Sequence, residues 1–499
     1  MRFGLEEHIV DSLISVFEEH SKVDKAIVFG SRAKGNYRTD SDIDIAIKGQ
    51  ELTTDDVIMM SVAFEAEGIT YKIDLIDYNN IKEFELKAHI DRVGIELYSR
   101  WKEIQLREIS TDISYGYTES ATLEAIGPKF LRITDITSGK INWDTVPYCK
   151  ITDKDFEKYK LGLGDIVIAR TGATTGYNAI IKNNINAVYA SYLIRFQINR
   201  EKASPFFVGY VLKSNAFQDY VDAIAGGSAQ PGANAQQLAD FKFLLPPLSE
   251  QTIIASILSS LDDKIDLLHR QNKTLEQLAQ TLFRQWFVEE AEESWVDSRL
   301  EEHTEVFRGL SYKGNGLTDV NLGIPMHNLN SVNEGGGYKY EGIKFYNGEY
   351  RDRHLVNVGD IIVTNTEQGH EYKLIGFPAI VPDYYGEKGV FSQHIYKLNL
   401  LRKSYLTREF VYYLLMTSSV REQVIAATNG STVNMLAIDG LQRPIFKLPP
   451  QEKVKEFTSI VKDYWIKMNV NHNQIRTLTK TRDALLPKLI GGEVRIIDN

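Results

Sequence analysis

The strongest pattern in the chain is a 4-3 spacing of apolar positions that occurs twice. After Pro246-Pro247 the apolar positions are Ile254, Leu258, Leu261, Ile265 and Leu268, then Asn272, Leu275, Ala279, Leu282 and Trp286. This spacing predicts a long helix with a coiled-coil seam. Adding 203 gives Phe457, Val461, Tyr464, Met468, Asn471, Ile475, Leu478, Arg482, Leu485 and Leu489, with Pro487 expected to end or kink the second helix. Each seam holds one asparagine, at non-equivalent places. If the helices pack antiparallel with Asn272 facing Asn471, paired numbers sum to 743, and Ile254 meets Leu489 while Trp286 meets Phe457. A buried Asn pair then sets register and orientation.

The duplication extends beyond the helices. Trp101-Lys-Glu-Ile-Gln-Leu106 matches Trp295-Val-Asp-Ser-Arg-Leu300 at an offset of 194, and Gly164-Asp-Ile-Val-Ile168 matches Gly359-Asp-Ile-Ile-Val363 at 195. Gly227-Ser228 and Leu245-Pro-Pro247 match Gly430-Ser431 and Leu448-Pro-Pro450 at 203. The growing offset is what insertions in loops produce. Ahead of each helix, residues 101–245 and 291–448 are strand-rich, with β-like runs such as Phe130–Ile136 and Asp165–Ala169. The copies differ most in one polar loop, Arg170-Thr-Gly-Ala-Thr-Thr-Gly176 against Thr364-Asn-Thr-Glu-Gln-Gly-His370. A differing loop on a shared scaffold suits recognition of two different targets.

Residues 1–100 have no counterpart in the repeat. A helix near 5–20 precedes a strand at 25–29, then Gly30-Ser31, a strand at 41–47 and a third at 71–76, the pattern of a small α/β domain. In Asp42-Ile43-Asp44 strand alternation puts both carboxylates on one face, and Asp74 in a second alternating strand can join them. Three acids at one point suit the Mg²⁺ ions that a nucleoside triphosphate needs for in-line nucleotidyl transfer. Gly30-Ser31 at a strand end offers backbone N–H groups and a hydroxyl to phosphate oxygens, with Arg32 and Lys34 adding positive charge.

Charge and composition narrow the alternatives. The 499 residues fit about three domains, and 43% hydrophobic with 25% charged residues describes a folded protein. Residues 1–100 hold 12 Lys+Arg against 20 Asp+Glu, a net −8 out of −10, leaving the remainder nearly neutral and able to present a basic face. A single cysteine, Cys149, excludes intramolecular disulfides and multi-thiolate zinc sites. No run approaches the roughly 18 apolar residues of a membrane span, and the acidic start MRFGLEEHIVDSL is unlike a signal peptide, so a cytoplasmic protein is expected. There is no Asn/Asp-Pro-Pro-Tyr element for DNA methylation and no G-x-x-x-x-G-K-[ST] loop for a translocating ATPase.

Gly30-Ser-Arg-Ala-Lys-Gly35 with Ser41-Asp-Ile-Asp-Ile45 resembles the signature of minimal nucleotidyltransferases of the polymerase beta superfamily. The resemblance implies Asp42, Asp44 and Asp74 as catalytic metal ligands, Gly30, Ser31 and Arg32 at the nucleotide, and Mg²⁺ with a nucleoside triphosphate as cofactors. Such domains also resemble antitoxin halves of toxin–antitoxin pairs. Gly164-Asp-Ile-Val-Ile-Ala-Arg-Thr-Gly172, Gly227-Ser-Ala-Gln230, Leu245-Pro-Pro-Leu-Ser-Glu-Gln251 and the duplicated helices resemble the specificity subunit of type I restriction-modification systems. The second copy departs from that pattern, with Thr364-Asn-Thr-Glu for Ala-Arg-Thr-Gly and Gln451-Glu-Lys for Leu-Ser-Glu-Gln.

The expected architecture is therefore α/β multidomain: a nucleotidyltransferase-like domain (1–99), target recognition domain 1 (100–248), spacer helix 1 (249–290), target recognition domain 2 (291–448) and spacer helix 2 (449–490), with the helices pairing as an antiparallel coiled coil. The resemblance implies that each recognition domain reads half of a split site on double-stranded DNA. It further implies that the helices dock two methyltransferase subunits, that restriction/translocase subunits join them, and that S-adenosylmethionine enters only through those partners. The 254–286 seam spans roughly 50 Å at 1.5 Å per residue, more than one DNA turn of about 34–36 Å. Arg170, Thr174, Gln230, Gln368 and His370 are the candidate base-edge contacts. The alternative places the main activity in the N-terminal domain, modifying a protein or RNA, with the remainder localising it.

Overall fold

The structure, a computed structural model, describes residues 2–49, 51–137, 139–226, 232–320, 322–369, 371–430 and 433–494. The chain divides into two compact units, Met1–Asp262 with Thr481–Asn499, and Asp263–Lys480.

In the first unit, helix α1 (Glu7–Glu19) buries Ile9, Val10, Leu13, Val16 and Phe17, a stripe at helical spacing. Strand β1 (Val23–Val28), helix α2 (Gly30–Lys34), strand β2 (Ile43–Gly49), helix α3 (Thr54–Ala66), strand β3 (Ile73–Asp77), helix α4 (Phe84–Val93) and strand β4 (Ile95–Ser99) follow. The sheet order is β3-β2-β1-β4. Strands β2 and β3 run parallel, with Asp44 paired to Asp74, and β1 is antiparallel to both β2 and β4. Alternation sends Ile43, Ile45 and Ile47 into a core with Phe17, Phe64 and Leu97. The edge strand β4 was not anticipated, because Ile-Glu-Leu-Tyr-Ser is too short to separate from the end of α4 by pattern.

Each strand-rich region builds the same four-stranded antiparallel sheet. In the first unit the order is Ser110–Tyr115, Leu193–Ile198, Ile166–Ala169, Asn178–Ile180. In the second it is Thr304–Arg308, Ile395–Leu400, Ile361–Thr364, Pro378–Ile380. The repeated Gly-Asp before the third strand has one physical cause in both copies. Gly164 (φ 89°) and Gly359 (φ 85°) turn the chain in the left-handed region. Their N–H groups donate to Ile181 O and Val381 O, both at 2.8 Å. Asp165 and Asp360 then cap the turn by accepting from Gly162 N and Asn357 N, both at 2.9 Å.

Each region also closes on itself at its base. Lys102–Gln105 pairs antiparallel with Lys242–Leu245, and Asp297–Arg299 with Ile445–Lys447. One long helix follows each closure: Leu248–Arg284, continued by a π turn over Gln285–Glu289, and Gln451–Ile490. Pro487 does not end the second helix, which runs on to Ile490. In the first unit Ile254, Leu258 and Leu489 share a core with Phe207 and Val211. In the second, Ala279, Phe283, Phe287, Phe457 and Val461 share one with Phe410 and Val411. Phe283 and Phe287 pack edge-to-face against Phe457, with ring centroids 5.4 and 5.3 Å apart, while Trp286, expected opposite Phe457, sits half-buried beside them. A 3.6-residue turn drifts against a 4-3 pattern, and the π turn moves the face further. At Arg482 the seam carries an ion pair, 2.9 Å to Asp262, which also accepts from Tyr210 Oη at 2.9 Å.

Candidate functional site

The acid cluster arises from the parallel pairing of β2 and β3. Asp44 and Asp74 are register partners, and Asp42 lies two residues before Asp44 on the same face. The three carboxylates gather around a fourth side chain, Lys72. Its Nζ lies 3.0 Å from Asp42 Oδ2 and 2.9 Å from Asp74 Oδ1. Burial pushes the Asp44 carboxyl above its ordinary value, the Asp74 and Asp42 charges push the same way, and Lys72 opposes them. Hydrogen bonds to Asp74 and then Asp42 hold the Lys72 ammonium above its ordinary value.

Gly30 opens α2, two residues past the end of β1, beside this cluster. It has φ 71°, and a Cβ there would stand 2.0 Å from Asp44 Oδ2. Only glycine both adopts that conformation without strain and leaves the carboxylate its place. Ser31 is the second residue of α2, half-buried at the same strand end.

Arg32 departs from the expectation of a nucleotide ligand. It is 2% exposed and donates to Phe3 O at 3.1 Å, to Ser41 O at 2.7 Å and to Asp42 O at 3.2 Å, with Tyr71 against its face. Its fork is spent bracing the chain that leads into β2, because unpaired buried carbonyls there would be costly.

The Mg²⁺ and triphosphate of nucleotidyl transfer need hard oxygen donors and a close backbone approach. Asp42, Asp44 and Asp74 are donors of that kind, and the space that a Cβ at Gly30 would fill allows that approach. The spacing is set around the ammonium, and among the described residues no three His, Cys, Asp or Glu side chains are gathered tightly enough to hold a metal as they stand.

In the first recognition region Arg170 and Thr174 lie in the turn that follows Ile166–Ala169. Arg170 is half-buried with its guanidinium 5.0 Å from the Tyr115 ring centre, and Thr174 closes a short 3₁₀ turn. In the second region the equivalent segment forms a strand, Thr366–Gln368, paired with Val433–Leu436. Gln368 is exposed at its end. Gln230 and His370 lie outside the described residues. Within the second unit Asn272 and Asn471 are brought together, Asn471 Nδ2 donating to Asn272 Oδ1 at 2.8 Å.

Comparison with known proteins assigns this geometry. Residues 98–277 and 292–480 match the family described as the type I restriction modification DNA specificity domain. The chain belongs to the type I restriction-modification DNA specificity family. The MjaIX specificity subunit of Methanocaldococcus jannaschii is 26% identical over 370 residues, 69% of this chain and 82% of that protein. The HindI specificity subunit of Haemophilus influenzae is 29% identical over 198 residues, 38% of this chain and 41% of that protein. The crystal structure of the type I restriction-modification S subunit from M. genitalium has the same fold, with a TM-score of 0.51 at 16% identity over 78% of this chain and 96% of that one. Residues 11–103 match the family described as polymerase beta, nucleotidyltransferase. The chain is thus a type I specificity subunit fused to a nucleotidyltransferase domain.

Two features of this specificity subunit escaped the sequence reading. Lys72 stands two residues before Asp74, at the entry to β3, so extending the strand's alternation by one residue places it on the acidic face. Glu367, buried under the second recognition loop, accepts from the N–H groups of Lys373, Leu374 and Ile375 at 2.9, 3.0 and 2.8 Å. Arg421 holds the same loop from below by donating to Tyr372 O and Ile375 O. The three N–H donors gave no pattern in sequence, because they meet the carboxylate only through the fold of residues 371–376.

Proposed function

We propose that the duplicated part reads an asymmetric, bipartite sequence in double-stranded DNA and docks methyltransferase subunits on its helices, other restriction subunits joining the same complex. One observation carries this reading: the same four-stranded sheet is built twice, and the segments after the equivalent strands Ile166–Ala169 and Ile361–Thr364 differ in both sequence and conformation. A turn in one copy and a strand pair in the other offer DNA two unlike surfaces. Arg170, Thr174 and Gln368 carry donors suited to base edges.

The test is methylation-sensitive sequencing of DNA from cells that make this chain with its modification subunits. A split motif is expected. Arg170→Ala should relax one half and Gln368→Ala the other, each by about 1–3 kcal/mol of discrimination. A symmetric or unsplit motif would refute the reading.

For the N-terminal domain we propose Mg²⁺-dependent nucleotidyl transfer that regulates the complex. Asp42, Asp44 and Asp74 would hold the metal, and Gly30 and Ser31 would receive the triphosphate at the end of β1. Bound Mg²⁺ would lower the pKa of an attacking hydroxyl and neutralise charge on the phosphates. Label transfer from α-³²P nucleoside triphosphates to copurified protein or RNA, absent in Asp42→Ala, tests this. Transfer that persists while no chain variant yields a methylated motif would instead favour the N-terminal domain as the main activity.

A further inference from the structure

Lys72 stands immediately before β3, two residues ahead of Asp74, and its carbonyl extends the pairing by accepting from Ile43 N at 2.8 Å, so both side chains leave the same face. Asp42, immediately before the neighbouring parallel strand β2, comes to that face from the other side. The ammonium therefore touches a carboxylate at the entry to β2 and one within β3, Asp42 at 3.0 Å and Asp74 at 2.9 Å. A divalent cation held by the same carboxylates would bind their oxygens at about 2.0–2.1 Å. It and the ammonium cannot share that position.

We infer that Lys72 is a built-in counter-cation that competes with divalent metal for Asp42 and Asp74. The inference rests on the nucleotidyltransferase reading of the acid cluster. In the resting domain the ammonium satisfies the acids, so the site takes metal weakly until a nucleotide delivers it. The side chain is suited to leave. Lys72 is 66% exposed and its carboxylate partners 44% and 46%, and ion pairs this open to water are individually weak. Lysine's flexible four-carbon stem also lets the charge swing away without moving the strand. The competition is therefore modest, roughly three- to tenfold in metal affinity, as the strength of two exposed pairs implies.

The test is a Mn²⁺ titration of the full chain without nucleotide, reading free Mn²⁺ by electron paramagnetic resonance. Lys72→Met keeps the stem and removes the charge. It should bind Mn²⁺ roughly three- to tenfold more tightly than the wild type. Lys25→Met, which removes one positive charge from a pair with Glu96, should bind as the wild type does. Asp74→Asn should bind more weakly. Equal or weaker affinity in Lys72→Met, alongside measurable binding by the wild type, overturns the competition and leaves the nucleotidyltransferase reading standing. Absence of Mn²⁺ binding in every variant overturns the competition, and if it persists with a non-hydrolysable nucleoside triphosphate present it overturns the nucleotidyltransferase reading as well.

Discussion

Asn272 and Asn471 face each other in the helix pair of the second unit, and the contact is lopsided. Asn471 is fully buried, donates to Asn272 Oδ1 at 2.8 Å and reaches Gln271 Oε1 at 3.4 Å, while its own Oδ1 has no partner. Asn272 is 7% exposed and has a second contact, to Met468 O at 3.5 Å. Asn272→Leu therefore leaves the buried Asn471 amide with only its long contact to Gln271. With one orphaned buried group costing about 1–3 kcal/mol, and a lost hydrogen bond included in that cost, this variant should lose about 2–3 kcal/mol. Asn471→Leu removes an acceptor that was already orphaned and leaves behind the better-placed Asn272, so it should lose only about 1 kcal/mol. The double Leu variant replaces both polar groups by apolar ones and should come within about 1 kcal/mol of wild type or exceed it, a coupling of about 2–3 kcal/mol. Hydrogen exchange of peptides from 265–280 and 463–478 in the full chain reads these local stabilities. Additive losses, or equal losses in the two single variants, would refute the reasoning.

Other outcomes follow from single side chains. Gly30→Ala should cost about 1–2 kcal/mol for its left-handed backbone alone, should drive Asp44 from its place, and should abolish Mn²⁺ binding while leaving any methylated motif intact. Arg32→Met should destabilise the N-terminal domain by about 3 kcal/mol by orphaning buried carbonyls, seen as faster exchange in β2. If it folded as wild type and lost only nucleotide affinity, Arg32 would be a phosphate ligand after all. His327 is wholly buried and bonded to Tyr338 Oη at 2.8 Å, and burial pushes its imidazole down to about 3. The unfolded chain takes up a proton there below about pH 6.5 that the folded one refuses, so stability present above that pH falls by about 1.4 kcal/mol per unit as pH drops toward 3. His327→Gln should flatten that acid limb in denaturant unfolding of the second unit, and an unchanged slope would exclude the histidine as its cause.

The parts legible in the sequence were those written in repetition and alternation. The offset between Gly164-Asp165 and Gly359-Asp360 located two equal sheets, because the same left-handed turn demands the same pair of residues each time. Alternation placed Asp42, Asp44 and Asp74 on one face, and the sum of 743 led from two unlike seam positions to the contact at Asn272 and Asn471. The rest depended on what a pattern does not carry. Arg32 read as a phosphate ligand because a basic residue after Gly-Ser looks exposed, and only the packing of Phe3, Tyr71 and the β2 lead-in buries it. Trp286 missed Phe457 because the true helical period and a π turn rotate the face by part of a turn. The second recognition segment read as a loop, and a strand partner some 65 residues away, Val433–Leu436, made it a strand.

The strand pairs at the base of each recognition region have a consequence for inheritance. Because Lys102 lies against Leu245, and Asp297 against Lys447, the beginning and end of each region meet side by side. A foreign segment with the same two edge strands would enter and leave at the same place, so the main chain on either side need not shift. A recombination event confined to residues between those strands would replace one region while leaving the N-terminal domain untouched, provided the incoming segment keeps the apolar positions, such as Phe207 and Val211 or Phe410 and Val411, that share a core with the long helices. The fold thus makes new specificities accessible by cassette exchange rather than by gradual substitution.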